Sequence, residues 1–266
     1  MGIAVSYQLT DKRAIVCGST QGIGRACAML FARLGAQVTL VARDEAVLAK
    51  VAAELPRDGE QRHDFVAADF NKPEQVRALV AQHVQKSGPV HILLNNSGGP
   101  PHGAIIAAKA EDFLQTFSRH VICNQLLVQT VVEGMKAASY GRIINIISTS
   151  VKEPIPGLGV SNTIRAAVAN WAKTMAGELA PFAITVNNLL PGYTATARLD
   201  ELIKAKAKST NSSEDKVRDE MIARIPMRRL ASPDEIAAAA GFLASPAASY
   251  VTGINLTVDG GRTSCL

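Results

Sequence analysis

Cys17-Gly18-Ser19-Thr20-Gln21-Gly22-Ile23-Gly24 follows the apolar run Ala14-Ile15-Val16 and opens a helical pattern from Arg25 to Leu34. Glycines at 18, 22 and 24 leave the backbone without Cβ atoms where a strand turns sharply into a helix. A phosphate can therefore approach the helix N-terminus and its unpaired N–H groups. The spacing, G-x-x-x-G-x-G, is wider than the commoner G-x-G-x-x-G of dinucleotide folds, and in isolation it also fits an ordinary glycine-rich turn. The context decides: a second apolar strand, Gln37-Val38-Thr39-Leu40-Val41-Ala42, returns where a βαβ unit requires it. The stretch is a dinucleotide site in expectation, with Gly18, Ser19, Thr20, Gln21, Gly22, Ile23 and Gly24 as its contacts.

Outward from this turn, strand-like and helical runs alternate along nearly the whole chain, the pattern of a parallel sheet covered on both faces. Strands are predicted near 13–18, 37–42, 64–68, 90–95, 142–147, 184–189 and 254–258. Helices are predicted near 23–34, 44–55, 72–87, 110–138, 160–180 and 233–244. No internal repeat and no low-complexity linker interrupts them. The fold class is α/β, a Rossmann-type doubly wound parallel sheet of about seven strands, expected as a single domain over residues 1–266. The polar excursion 197–226, with Lys204-Ala205-Lys206-Ala207-Lys208 and Ser209-Thr210-Asn211-Ser212-Ser213, breaks the alternation. It reads as a substrate lid beyond a strand's carboxyl end or as a solvated helix pair.

With 266 residues, 47% of them hydrophobic, the chain can bury a large core. No run of about 18 apolar residues is present, so no membrane helix is expected. Met1 to Thr10 has neither a basic start nor a long apolar stretch and does not read as a signal peptide, so a cytoplasmic location is expected. Cys17, Cys27, Cys123 and Cys265 form neither a C-x-x-C pair nor a disulfide framework, and no metal site is expected. The net charge of +5 is spread out and only 5% of residues are aromatic, which argues against nucleic acid as a partner.

Further positions have a physical reading of their own. Asn95-Asn96-Ser97-Gly98 follows the fourth strand, where two amides can tie strand ends together and Gly98 leaves room for a ligand. Asp69 ends the third strand on the ligand-facing edge, unless it is a plain turn aspartate. Arg43 closes the second strand, where an acidic residue would bind the ribose 2′-hydroxyl of NAD. A guanidinium there suits a 2′-phosphate, so NADP(H) is favoured over NAD(H). The alternative for Arg43 is a surface charge paired with Asp44 or Glu45.

These motifs, together with Asn145 and Ser148 on the fifth strand, Pro191-Gly192 and Thr196, Arg229, Phe242-Leu243-Ala244-Ser245 and Val258-Asp259-Gly260-Gly261, give a chain that resembles the short-chain dehydrogenase/reductase family from Lys12 to Gly261. It looks closest to the β-ketoacyl-acyl-carrier-protein-reductase-like branch. The resemblance implies an NADP(H)-dependent oxidoreductase acting on a small carbonyl or alcohol substrate, 3-oxoacyl-thioester-like by likeness only. It implies a dinucleotide held by the glycine turn, Arg43, Asp69, Asn95, Ser97, Gly98, Pro191, Gly192 and Thr196. It also implies a homo-oligomer, dimer or tetramer, made through the helices at 110–138 and 160–180.

The chemistry of that family rests on Asn, Ser, Tyr and Lys, with the Tyr thirteen residues after the Ser and the Lys four further on. Counted from Ser148, those places hold Ser161 and Arg165. The i, i+4 spacing keeps both on one helix face. Arg165 can hold ribose hydroxyls but does not deprotonate in proteins, and an alkyl hydroxyl is a far weaker acid than a phenol. The family's Asn falls on His120, which either serves as a proton donor or packs with Phe113 and Phe117; Asn124, one turn on, could restore the amide. Tyr193 and His102 are expected to face the pocket, Tyr193 as a substitute acid or a plain pocket residue. The alternative function is a catalytically degenerate dinucleotide-binding or scaffold subunit.

Overall fold

The chain is seen in a computed structural model that describes residues 6–100 and 102–265. Seven apolar runs form strands β1 (Arg13–Cys17), β2 (Gln37–Ala42), β3 (Asp64–Ala67), β4 (Ile92–Asn95), β5 (Gly141–Ile146), β6 (Ile184–Pro191) and β7 (Asn255–Val258). All pairings are parallel, in the order β3-β2-β1-β4-β5-β6-β7. A parallel sheet needs helical crossovers on both faces, so central strands such as β4 and β5 are buried at every position. Each predicted strand is present to within two residues.

Alternate side chains feed two cores. Val16, Leu94, Ile144 and Leu189 meet α1 (Gly22–Arg33), α2 (Glu45–Glu54) and α9 (Pro233–Ala244). Ile15, Leu93, Ile143 and Val186 meet α3 (Pro73–Ser87), α5 (Cys123–Ala137) and α6 (Gly159–Leu179). The strand order reverses direction between β1 and β4, and the crevice at their carboxyl ends is where such sheets bind ligands. The buried thiols of Cys17 and Cys27 are pushed up by desolvation, Cys27 to about 12, which leaves them small apolar fillers.

Four asparagines stand in register on adjacent strands, Asn95 opposite Asn145, Asn145 opposite Asn188 and Asn188 opposite Asn255. Each donates its amide Nδ2 to the next Oδ1, at 2.8, 2.9 and 2.8 Å. This ladder lets polar side chains sit inside an apolar sheet near its carboxyl edge, because burial of an amide is tolerated when it is bonded.

One segment differs from the reading of the sequence, and a second takes the helix-pair form that the sequence allowed. The predicted helix 110–138 is divided into α4 (Ala110–Phe117), a π turn at Ser118–Ile122, and α5. No proline and, before Gly134, no glycine marks the break, so the local sequence does not betray it. The excursion 197–226 is a helix pair, α7 (Ala197–Thr210) and α8 (Glu214–Ala223), turned by Asn211 in the left-handed region and capped by Ser213. Leu199, Ile203, Val217 and Met221 give the pair a small core, and Arg218 Nη2 bonds Asp200 Oδ1 at 2.8 Å across it. No helix of the described residues is long and apolar enough to cross a membrane.

Candidate active site

The glycine turn is held from two sides. Gly18 has φ +59°, its N–H donates to Val41 O at 2.8 Å, and Asn96 Nδ2 donates to Cys17 O at 3.3 Å and Gly18 O at 3.2 Å. A Cβ on Gly24 would overlap the carbonyl of Gly18, so helix α1 starts against the turn with nothing larger than hydrogen between them. The α1 N-terminus receives no side-chain cap from Gln21, and Ser19, fully buried, has an Oγ without a partner among the described residues. Gly98 across the crevice has nothing within 4 Å of where a Cβ would stand. Open backbone N–H groups, an unpaired buried hydroxyl and a cradle of glycines together fit the pyrophosphate of a dinucleotide.

The remaining cofactor candidates lie along the same edge. Arg43 is exposed at the end of β2 and makes no ion pair among the described residues; Asp44 instead caps α2 through Val47 N–H. Asp69 uses Oδ1 to accept from the backbone and side-chain nitrogens of Asn71, both at 3.0 Å, so one of its oxygens is already committed to the turn. Thr196 caps α7 and sits against Gly22, with its Cγ2 3.3 Å from the place of a Cβ there. Pro191 and Gly192 close β6 beside it. The helix pair 197–226 thus begins in contact with the glycine turn, and Arg198 Nη2 reaches Pro100 O at 2.6 Å on the opposite rim.

Ser148 follows the end of β5, and Ser161 and Arg165 stand in the first two turns of α6, from which Arg165 reaches back to β5. Ser148 caps the short turn Thr149–Val151, its Oγ accepting from Ser150 N at 3.0 Å, which leaves its proton free to donate. Ser161 is half-buried, and its hydroxyl makes no hydrogen bond among the described residues. Arg165 Nη1 donates to Ile146 O at 2.6 Å. Burial first, and the charge of Arg198 second, lower Arg165 to about 10, so it stays a cation at neutral pH. It offers charge and donors but no proton to exchange.

His120 enters the crevice because the π turn carries it there. It is 4% exposed, with Nδ1 3.0 Å from Ser97 Oγ and Nε2 3.2 Å from Gly98 O. A carbonyl only accepts, so Nε2 carries the proton and Nδ1 accepts from Ser97. Burial, then Arg165 and Arg119, push its pKa well below the ordinary histidine value. A neutral imidazole with both nitrogens engaged is a fixed bracket between the end of β4 and the helix, not a proton donor at neutral pH. Of the two expectations for His120, this geometry favours the packed structural histidine over the proton donor, with Ser97 and Gly98 as its bonded partners. Asn124 is buried beside it and makes no hydrogen bond among the described residues.

No hydrogen bond among the described residues joins Tyr193 to Ser148, Ser161 or Arg165. Its ring packs on the α7–α8 core, Arg262 lies over it at 5.0 Å, and it lines a separate cavity of about 300 Å³ with Thr257, Asp259 and Gly260. The reason is the turn after Gly192: Ala231 N–H donates to Tyr193 O and Ala195 N–H to Ala231 O, which aims the ring outward toward the helix pair. His102 is exposed and rests on Gly157, next to the bridge in which Gly103 N–H donates to Gly157 O at 2.8 Å.

The chain matches the family model described as enoyl-(acyl carrier protein) reductase over residues 18–263. It is 31% identical to the NADPH-dependent reductase BacG of Bacillus subtilis, over 95% of this chain and 98% of that protein. It is 32% identical to the 3-oxoacyl-(acyl-carrier-protein) reductase FabG of Vibrio cholerae, over 95% and 98%. Among solved structures, the L-sorbose reductase of Gluconobacter frateurii complexed with NADPH and L-sorbose superposes with a TM-score of 0.91 at 32% identity, over 98% of this chain and all of that one. The sheet order, the glycine turn and these likenesses agree, and the chain belongs to the short-chain dehydrogenase/reductase family.

Proposed function

We propose that the protein is an NADP(H)-dependent oxidoreductase that interconverts a carbonyl compound and its alcohol, with acid catalysis weakened by the loss of the family's Tyr and Lys. The observation that carries the reading is the glycine turn with its unpaired, buried Ser19 hydroxyl at the start of α1, facing an unencumbered Gly98. The bound dinucleotide supplies the hydride chemistry. The α1 N-terminus and Ser19 hold its pyrophosphate, Arg43 its 2′-phosphate, and Arg165 its nicotinamide-side ribose. Ser148 orients the substrate oxygen with its free proton, while Ser161 adds a second neutral donor. NADP or NADPH named in the relatives and neighbours supports the cofactor choice.

Arg43 gives the direct test. One or two charge-assisted bonds to a 2′-phosphate are worth about 2 kcal/mol, so NADPH binds about 30-fold tighter than NADH, and Arg43→Ala removes most of that gap. Equal dissociation constants for the two cofactors in the unaltered protein exclude this assignment.

Two further readings complete the proposal. The helix pair 197–226 acts as a lid, because it is tied to the glycine turn through Thr196 and to the opposite rim through Arg198. The chain works as a homo-oligomer through the face of α4 and the π turn, where Leu114 is 70% exposed and Phe117 and Ile122 stand out beside it. Light scattering at micromolar concentration is expected to give at least a dimer, and a monomer there ends that claim.

A further inference from the structure

Three arginines stand at the carboxyl ends of β4 and β5, and their bonds go mostly to neutral oxygens. Arg119 donates to Gly98 O at 3.2 Å and to Asn71 Oδ1 at 2.8 Å, and Arg165 to Ile146 O at 2.6 Å. Arg198 donates Nη2 to Pro100 O at 2.6 Å, while its Nη1 meets Glu201 Oε2 at 3.2 Å. The Glu201 side chain is 67% exposed, so water screens it and it neutralises little of the guanidinium's charge. Asp69, at the neighbouring end of β3, has an oxygen committed to Asn71.

The topology puts Arg198 beside the reacting group. It belongs to α7, which follows β6, and it reaches the loop after β4, so its contact bridges the carboxyl end of β5, the strand between them in the sheet. Ser148 follows that end, and Arg165 is anchored to it. The guanidinium rests against Gly99, where a Cβ would stand 3.4 Å from Nη2 and 3.6 Å from Nε. The Arg198 side chain is 42% exposed, and its Nε makes no hydrogen bond among the described residues. After burial, the charge of Arg198 lowers the pKa of Arg165, and the charges of Arg165 and Arg119 lower that of His120, so the three cations act on one region of the crevice. Like charges held together repel, and an anion among them relieves that cost.

Resting on the oxidoreductase reading above, we propose that the substrate is a small oxo acid, its carboxylate bound by Arg198 at Nε and the exposed rim of the guanidinium, its carbonyl turned to Ser148. Arg165 lies on the ribose side and contributes its charge, not a second bond. An uncharged ketone of the same shape gains neither the charge-assisted bonds nor the field, and an ammonium compound is repelled. The phosphates of the dinucleotide do not account for these cations. In that reading they are held at the α1 N-terminus beyond β1 and at Arg43 beyond β2, whereas Arg165 bonds β5 and Arg198 the loop after β4.

Calorimetric titration of the full chain saturated with NADP+ tests this without turnover, because the oxidised cofactor cannot reduce a ketone. The probes are 2-oxopentanoate and 4-oxopentanoate, each beside its amide, which keeps the shape and removes the charge. At least one acid is expected to bind in the millimolar range or tighter, about tenfold or more above its amide in affinity, with the margin falling as salt rises. Arg198→Gln is expected to bring acid and amide to within about threefold of each other, and Arg198→Lys to keep part of the margin. If Arg198 only ties the lid, its loss weakens acid and amide alike and leaves their ratio where it was. Unchanged NADP+ affinity shows that each variant is folded. Equal binding of acid and amide, no binding of either acid, or a ratio untouched by Arg198→Gln overturns the inference. So does acid binding only to cofactor-free protein, which would put the acid on the pyrophosphate site. Failure to reduce any carbonyl compound with NADPH would instead count against the oxidoreductase reading and would leave the titration result standing.

Discussion

The double substitution Ser161→Tyr with Arg165→Lys is expected to raise NADPH-dependent reduction of a simple ketone by about 10²–10⁴-fold, the usual worth of a positioned general acid. Reduction of a carbonyl places negative charge on an oxygen that must take up a proton. Around the meeting point of Ser148 and α6 the protein offers two alkyl hydroxyls, a half-buried guanidinium bonded to Ile146 O, and a neutral imidazole whose nitrogens are both occupied. None releases a proton readily at neutral pH. A phenol at position 161 titrates near about 10 when free and is brought lower by a cation one helical turn away, so the pair restores what the helix face lacks. Helix α6 already presents both positions on one face, and the Ser161 hydroxyl has no bond to lose.

Tyr193→Phe is the control for that experiment and is expected to leave turnover and NADPH affinity within about twofold. Its ring packs on the α7–α8 core under Arg262, and no hydrogen bond among the described residues ties its hydroxyl to Ser148, Ser161 or Arg165. A loss of 100-fold or more in Tyr193→Phe would show that the lid rearranges to bring the phenol inward. No gain in the double variant, with NADPH still bound, would favour a dinucleotide-binding subunit without reductase chemistry.

The sheet was legible in the sequence because a doubly wound fold writes itself as buried strands alternating with amphipathic helices, and all seven strands are where the runs such as Ile92-Leu93-Leu94 place them. The glycine turn was legible because only Gly tolerates the approach of Gly24 to the Gly18 carbonyl. What the sequence concealed depends on geometry beyond any local window. His120 sits in the π turn at Ser118–Ile122, and helical periodicity does not announce its bonds to Ser97 and Gly98. The turn that carries Tyr193 is closed by a backbone bond from Ala231, a residue far along the chain, which no local window announces. Asn95 and Asn145 were each visible as polar interruptions of a strand, but their union with Asn188 and Asn255 is a fact of register.

That ladder carries the second large effect. Asn145→Leu keeps the branched, four-atom outline of the side chain, yet it leaves the Nδ2 of Asn95 without its acceptor and the Oδ1 of Asn188 without its donor, both in residues at most 3% exposed. Each orphaned buried group costs about 1–3 kcal/mol, so a loss of about 2–6 kcal/mol is expected, a large share of a typical 5–15 kcal/mol of stability. Thermal unfolding should fall by roughly 5–20 °C for a chain of this size. Asn145→Asp separates hydrogen bonding from packing. Ionised, the aspartate still accepts from Asn95 but cannot donate to Asn188, and its buried charge raises its folded pKa above the unfolded value near about 3.9. Protonation restores the donor. A group whose folded pKa is raised is stabilising below its unfolded pKa and loses that contribution as pH rises through the folded one. The deficit of Asn145→Asp relative to the parent, measured at matched pH, should therefore shrink as pH is lowered from neutral, while that of Asn145→Leu should stay constant. A deficit that is the same at every pH in both variants would mean that the amides are held by packing alone and that the ladder's hydrogen bonds contribute nothing net.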